Sequence, residues 1–308
     1  MPARFTLGID LGGTTTVLAV VDAQNNVAWE RSFPTRAEAG PGDVLGRVVR
    51  AARAASRERP FAAAGAAVAA QVNPRTGVLA ASPNLKFENL PLAGALQRDL
   101  GVPAIVENDV NAAAYAEYLA DAAPREPLLA VFVGTGIGGG LIAGGEIFHG
   151  ADGFAAEIGH VPVVAEGGEP CGCGRRGCVE AYAGGAAIVR RAAARCGGER
   201  AGAFEDVDAV VRAAEAGDDG CRAVLEQAAT YLGVALAAAV NLMNPGTLVI
   251  GGGVARAWPA LAERAVDRMK DSALAPSLTS LSTRRALLDR RAGVIGAAAL
   301  ARRLAAPA

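Results

Sequence analysis

One local pattern occurs twice in the 308 residues and restricts the fold more than any other feature: an apolar run, a turn of glycine and threonine, and a second apolar run. It reads FTLGIDLGGTTTVLAVVD over 5–22 and LLAVFVGTGIGGGLIAGGEIFHG over 128–150. Short β-branched and apolar runs on either side of a glycine-rich turn predict paired strands with a polar tip. Repetition of such a unit predicts two lobes of related build, and a chain that is 52% hydrophobic has the apolar content to bury a core in each. The polar stretch LADAAPREP, with its two prolines, marks the division. The expected lobes are a small N-terminal one over 1–118 and a larger one over 119–290, with a helix from about 291 to 308 folding back onto the first.

Between the repeats the elements follow from periodicity and turn chemistry. NVAWERSFPT supplies a third strand, a helix runs from about Gly42 to Arg59, and AAVAAQVNPRTGVLAA reads as a strand pair around the turn signal Asn-Pro-Arg-Thr-Gly. VPAIVENDVNAAAYAEYLA passes from an apolar strand into an Ala-rich helix, with Asn108 or Asp109 as its cap. From Cys178 to Asn244 the reading is mostly helical, and TLVIGGGVA then gives a buried strand that opens onto glycines and a helix.

Charge and segment structure exclude whole classes. A formal net charge of -1 gives no chain-wide basic field to hold nucleic acid. The start of the sequence lacks a basic region followed by an apolar run, and no stretch is apolar for the length of a bilayer, so a cytoplasmic protein is expected. There, five cysteines of which three are clustered read as a metal site before disulfides. The arginine-rich STRRALLDRRAGVIGAAALARRLAAPA carries apolar residues at helical spacing, which fits a helix with a solvated face.

Three glycine-rich turns follow strands: Gly12, Gly13, Thr14 and Thr15 after Asp10; Gly134, Thr135 and Gly136 after Val133; and Gly251, Gly252 and Gly253 after Ile250. Glycine admits close approach of a phosphate to backbone N–H groups, and threonine hydroxyls add donors. Asp10 stands where a carboxylate would hold magnesium; a turn-initiating aspartate is the plainer alternative. Asp109 lies where a strand gives way to a helix, so it is either an ordinary cap or a carboxylate able to take a hydroxyl proton. His160, Cys171, Cys173 and Cys178 form a ligand set of the type tetrahedral structural zinc prefers, with Gly172, Gly174 and Gly177 allowing chain reversals. Free or buried thiols are the alternative. Glu157 and Glu180 flank the cluster, and two carboxylates on an ordered rim suit the recognition of a polyol. Cys196 and Cys221 read as small core residues, and His149 carries no assignment.

GIDLGGTTT, SPNL, ENDVNAA, GTGIGGG, EIGH, CGCGRRGCVE and LVIGGGV occur here in the order seen in the ROK family of bacterial sugar kinases and sugar-responsive repressors, and the chain resembles that family along essentially its whole length. The resemblance implies an α/β, two-lobed actin-like ATPase (ribonuclease H-like) fold, each lobe a mixed sheet flanked by helices, with a zinc-stapled loop at 160–180. It implies that Asp109 is the catalytic base, that Asn84, Asn108, Asp109, Glu157, His160 and Glu180 bind sugar, and that His160, Cys171, Cys173 and Cys178 hold Zn2+. It places ATP on the three glycine turns and Mg2+ near Asp10, and it implies a homodimer or homotetramer.

The chain departs from the family pattern at Ala69–Asn73, at Lys86-Phe87 and at Ala156. The expected activity is ATP-dependent phosphorylation of a hexose, glucose first, with fructose, mannose, an N-acetylhexosamine, or polyphosphate as donor, left open. A sugar-sensing repressor would need a helix-turn-helix ahead of the first strand, and a non-catalytic sugar-binding protein would leave Asp109 and the three turns unexplained.

Overall fold

Near-continuous burial along the first strand, with Leu7, Ile9 and Leu11 alternating with Thr6 and Gly8, marks a central strand covered on both faces. The computed structural model describes residues 5–82, 85, 87–196 and 204–305. Asn84 and Lys86 lie outside the described residues, as does the side chain of Cys196. The chain runs β1 (Phe5–Leu11), β2 (Thr15–Asp22), β3 (Val27–Pro34), α1 (Pro41–Glu58), β4 (Ala64–Val68), β5 (Gln71–Val72), β6 (Leu79–Ser82), β7 (Phe87–Leu90), α2 (Leu92–Leu100), β8 (Ala104–Asn108) and α3 (Asp109–Ala120). There follow β9 (Leu128–Val133), β10 (Ile137–Ala143), β11 (Glu146–Ile147), α4 (Glu180–Ala183), α5 (Gly185–Cys196), α6 (Val207–Glu215), α7 (Asp219–Met243), β12 (Thr247–Gly251), α8 (Gly253–Ala257), α9 (Ala260–Ser272), α10 (Ala275–Leu278), β13 (Ser282–Arg285) and α11 (Ala292–Ala305).

Two compact units result, one from 1–121, 146–155 and 290–308 and the other from 122–145 and 156–289. The first unit is thus assembled from three separate stretches of sequence. Its main sheet has the order β3-β2-β1-β4-β8. β1 pairs antiparallel with β2 and parallel with β4, which pairs parallel with β8. Leu7, Ile9 and Leu11 join Val44, Val48 and Ala52 of α1 in one core. Burial of these side chains, at about 25 cal/mol per Å² of apolar area, is what holds α1 down.

On the other face, α11 packs against β1, β4 and α3. It can do so because the facing positions are glycine. A Cβ at Gly8 would overlap the carbonyl of Val294, and one at Gly65 that of Ala297. The stretch expected as one strand pair divides in three. β4 stays in the main sheet, and β5 pairs with β6 in a separate small sheet that β7 completes. The asparagine-proline turn joins β5 to β6, because Asn73 Oδ1 accepts from the N–H groups of Arg75 and Thr76 and closes the turn itself.

The second unit repeats the scheme. β10 pairs antiparallel with β9, β9 parallel with β12, and β12 parallel with β13. The repeated sequence pattern is therefore a repeated topology, a hairpin followed by parallel strands. α7 runs through the core, with Val224, Leu225, Leu232, Leu236 and Val240 buried against α9 and the sheet. By length and apolarity it is the one helix among the described residues able to cross a bilayer, which corrects the expectation that no stretch is apolar for that length, and most of it is buried inside this unit, as in a core helix. Cys221 is one of its core side chains.

Candidate functional site

In the first unit the functional groups gather at one end of the main sheet. Register places Asp10 of β1 opposite Ala67 of β4, and Ala67 opposite Glu107 of β8, so the two carboxylates share a row. Asn108 is the N-cap of α3: its side chain accepts from the N–H groups of Val110 and Asn111. Its amide Nδ2 donates to the carbonyl of Ala70 at 3.3 Å, which ties the divergent 69–73 stretch to this position. Asp109 is the first helical residue and stays partly exposed. Burial pushes the Asp10 carboxyl up to about 7, and the nearby negative charge of Asp109 adds to the rise. An enclosed carboxylate of raised proton affinity near a second, partly exposed one is suited to share a cation or to divide acid and base roles.

Two residues in this region had no assignment from sequence. Glu107 is buried and accepts three hydrogen bonds, from the Asn108 N–H at 2.9 Å, Asn111 Nδ2 at 3.0 Å and His149 Nε2 at 2.8 Å. His149 is half-buried, and its hydrogen bond to Glu107 raises its proton affinity against the opposing cost of burial; the charges of Glu107 and Glu146 act in the same sense as the hydrogen bond. The partners are 42 residues apart in the chain, so no local pattern could have paired them.

The Gly12–Thr15 turn leaves Thr14 and Thr15 exposed. It is braced from behind by Thr35, whose N–H donates to the carbonyl of Thr14 and whose hydroxyl donates to the carbonyl of Gly12. That brace too is invisible to a local reading of the turn.

In the second unit an open cavity of about 700 Å³ is lined by Gly134, Thr135, Gly185, Ala186, Val189, Arg190, Asp206, Gly253, Val254 and Arg256, among others. Two of the glycine turns thus converge on one space of small-molecule size. The remaining glycines serve neighbouring packing. A Cβ at Gly252 would overlap the Val133 backbone and one at Gly251 would press on Ala286 and Phe132, while Gly136 makes room for the Glu180 carboxylate.

The histidine and cysteine cluster closes as a set. One ligand atom from each of His160, Cys171, Cys173 and Cys178 lies within 4.8 Å of every other. Cys173 Sγ and Cys178 Sγ are 3.8 Å apart, and Cys171 Sγ is 3.7 Å from His160 Nδ1. A tetrahedral zinc with Zn–S bonds near 2.3 Å requires an edge of about 3.8 Å. The donor set therefore fits zinc in chemistry and in spacing. Burial pushes the Cys171 thiol up to about 12, a cost that a divalent cation is suited to offset. Gly174 and Gly177 supply the left-handed backbone of the reversals, at φ 83° and 81°, whereas Gly172 makes no such demand.

The loop is fixed from outside as well. The Glu169 N–H donates to the Tyr182 hydroxyl at 2.7 Å, and the Arg191 guanidinium lies over the Tyr182 ring. With Nδ1 facing the sulfurs, the other ring nitrogen of the exposed His160 is left for a second partner. Glu180 is already engaged: Oε2 accepts from the Ile137 N–H at 2.8 Å and Oε1 from Cys171 Sγ. Glu157 is exposed, yet partial desolvation holds its carboxyl above the usual range, with His160 opposing and Glu180 assisting.

Taken with the paired carboxylates, the repeated hairpin lobes and the cysteine–histidine cluster define a two-lobed protein of actin-like ATPase build. The chain belongs to the ROK family, whose description matches residues 6–304. It is 31% identical to the glucokinase of Halalkalibacterium halodurans, over 96% of this chain and 94% of that one. It is 33% identical to the N-acetylmannosamine kinase of Escherichia coli, over 96% and 98%. The solved ROK family glucokinase of Streptomyces griseus, in complex with glucose and AMPPNP, superposes with a TM-score of 0.84 at 29% identity, covering 97% of this chain and 99% of that one.

Proposed function

We propose that this protein transfers the γ-phosphoryl group of ATP to a hydroxyl of a hexose, with glucose the first substrate to test. The observation that carries the reading is the pair Asp10 and Asp109, in which a partly exposed carboxylate at the start of α3 lies near an enclosed one whose proton affinity it helps to raise. In the reaction Asp109 accepts the hydroxyl proton as the sugar oxygen forms its bond to the γ-phosphorus, the bond to the β,γ-bridging oxygen breaks, and ADP leaves. Asn108, Glu157, His160 and Glu180 are assigned to sugar hydroxyls. Asn84 carries the same assignment from the family pattern alone, since it lies outside the described residues.

Gly12 to Thr15, Gly134 to Gly136 and Gly251 to Gly253 are assigned to the nucleotide. The support is strongest for Gly134, Thr135 and Gly253, which line the 700 Å³ cavity. Mg2+ bound near Asp10 would neutralise phosphate charge. Zn2+ held by His160, Cys171, Cys173 and Cys178 would be structural, keeping the imidazole oriented. A cytoplasmic homodimer or homotetramer accompanies this reading.

N-acetylmannosamine is a second substrate to weigh, favoured by the 33% identity to a kinase of that name and by the altered 69–73 stretch tied to Asn108. The test is ADP release from Mg-ATP across a panel of hexoses and N-acetylhexosamines. Release with one sugar, reduced about 10²–10⁴-fold in Asp109→Asn while sugar binding persists, is the expected outcome. Silence across the panel, or a fully active Asp109→Asn, overturns it.

A further inference from the structure

The chain as a whole has a net charge of -1, yet one small region of the first unit collects positive charge. Arg31, Phe33, Pro34, Arg36, Arg47, Arg50 and Ala51 line an open cavity of about 450 Å³ on β3, the following loop and α1. Four guanidinium groups and no carboxylate form this lining. The acidic residues nearby are Glu30, held by Arg291, Asp43, held by Arg47, and the exposed Glu38.

The cavity is organised around Arg47, the half-buried one of its four arginines. Arg47 donates through Nε to Asp43 at 2.8 Å, through one terminal nitrogen to the Pro34 carbonyl at 2.7 Å, and through the other to the Thr35 carbonyl. These bonds fix the loop that presents Arg36. That residue adopts a left-handed backbone, φ 54° and ψ 53°, which is sparsely populated for arginine and persists only when its surroundings impose it. Arg31, Arg36 and Arg50 are exposed, and among the described residues no carboxylate pairs with any of the three.

Unpaired cations held close together repel one another, and a planar guanidinium fork matches the oxygens of a phosphate. A space within the 300–1,000 Å³ range of small-molecule sites exceeds what a single phosphate group needs. We infer that this cleft, whose lining includes none of the proposed nucleotide groups although it adjoins the Gly12–Thr15 turn through Thr35, is a second anion site for a multiply charged phosphate such as a free oligophosphate or the phosphate chain of a metabolite. Arg31, Arg36 and Arg50 would be its ligands, and Arg47 its frame.

The experiment is a calorimetric titration of the full chain with tripolyphosphate, inorganic phosphate and citrate, each with saturating Mg-AMPPNP present to fill the proposed nucleotide site. Wild type is compared with Arg31→Ala/Arg36→Ala/Arg50→Ala, and Arg47 is left intact so that the loop keeps its frame. Tripolyphosphate should bind tighter than inorganic phosphate and tighter than citrate, and the triple variant should weaken it at least about tenfold with its unfolding midpoint and its ADP release from Mg-ATP unchanged. A single variant, Arg36→Lys, should retain charge and lose part of the affinity, because lysine lacks the fork. Equal binding of tripolyphosphate by wild type and the triple variant overturns the assignment. Citrate binding as tightly as tripolyphosphate also overturns it, since that is charge attraction without phosphate recognition. A protein that fails to bind AMPPNP would refute the nucleotide assignment alone, because the comparison of wild type with the triple variant still reads the cleft.

Discussion

Replacing His149 by alanine removes one of the three donors that the buried Glu107 accepts. The loss can be sized from the structure. The pair is close, at 2.8 Å, and its side chains are 29% and 7% exposed, so it is neither fully buried nor a surface pair. A hydrogen bond involving a charged group contributes about 1.5–3 kcal/mol net. Removing one partner of a fully buried pair costs more, but Glu107 keeps the Asn108 N–H and Asn111, which points to about 2 kcal/mol, or roughly a 30-fold change in the folding constant.

The hydrogen bond to Glu107 raises the proton affinity of His149 above that of an unfolded histidine. Its charged-state contribution is therefore complete below the unfolded pKa near 6.5 and is lost as pH rises through the folded value. Urea unfolding at pH 6 and pH 9, at equal ionic strength, should show His149→Ala less stable by about 2 kcal/mol at the lower pH and about 1 kcal/mol at the higher, where a neutral hydrogen bond remains. His149→Gln should approach wild type at pH 9 and fall short of it at pH 6. An equal loss at both pH values, or none, would refute the claim that a protonated His149 is held by Glu107.

The cysteine cluster gives a second expectation: Cys178→Ser should lower the zinc content of purified protein well below one per chain by plasma emission analysis, and should raise the KM for sugar while leaving that for ATP close to wild type. Retention of stoichiometric zinc would contradict the four-ligand assignment. Gly65→Ala should destabilise the first unit by about 1–3 kcal/mol through overpacking against the Ala297 carbonyl. An unchanged urea midpoint would show that α11 can move aside.

What the sequence made legible was local or strictly patterned. The two hairpins announce themselves through apolar runs around glycine turns, and Asn108 caps α3 through the N–H groups two and three residues further on. The metal cluster is readable because its cysteines lie within eight residues of one another, so chain reversal alone brings them together.

What escaped were relations set by tertiary packing. Glu107 meets His149 only because 146–155 joins the first unit, and Thr35 braces Gly12 only because β3 returns beside β2. The four arginines of the cleft are spaced irregularly over β3, a loop and α1, and a chain-average charge conceals them. Asn73 shows the converse. Its place in a turn signal was legible, and its side-chain oxygen closes that turn by accepting from two N–H groups close by in the chain.

The placement of α11 has a temporal meaning. β1 and β4 are synthesised early, but the helix that covers one face of their sheet begins at Ala292. At about 5–20 residues per second, the 171 residues separating Asp121 from Ala292 take roughly 10–30 s to emerge. Throughout that interval the surface around Gly8 and Gly65 has no covering helix from its own chain. The second unit, whose described strands and helices all lie upstream of Ala292, can consolidate first. The nascent chain thus reverses the usual order, with the unit that starts first finishing last.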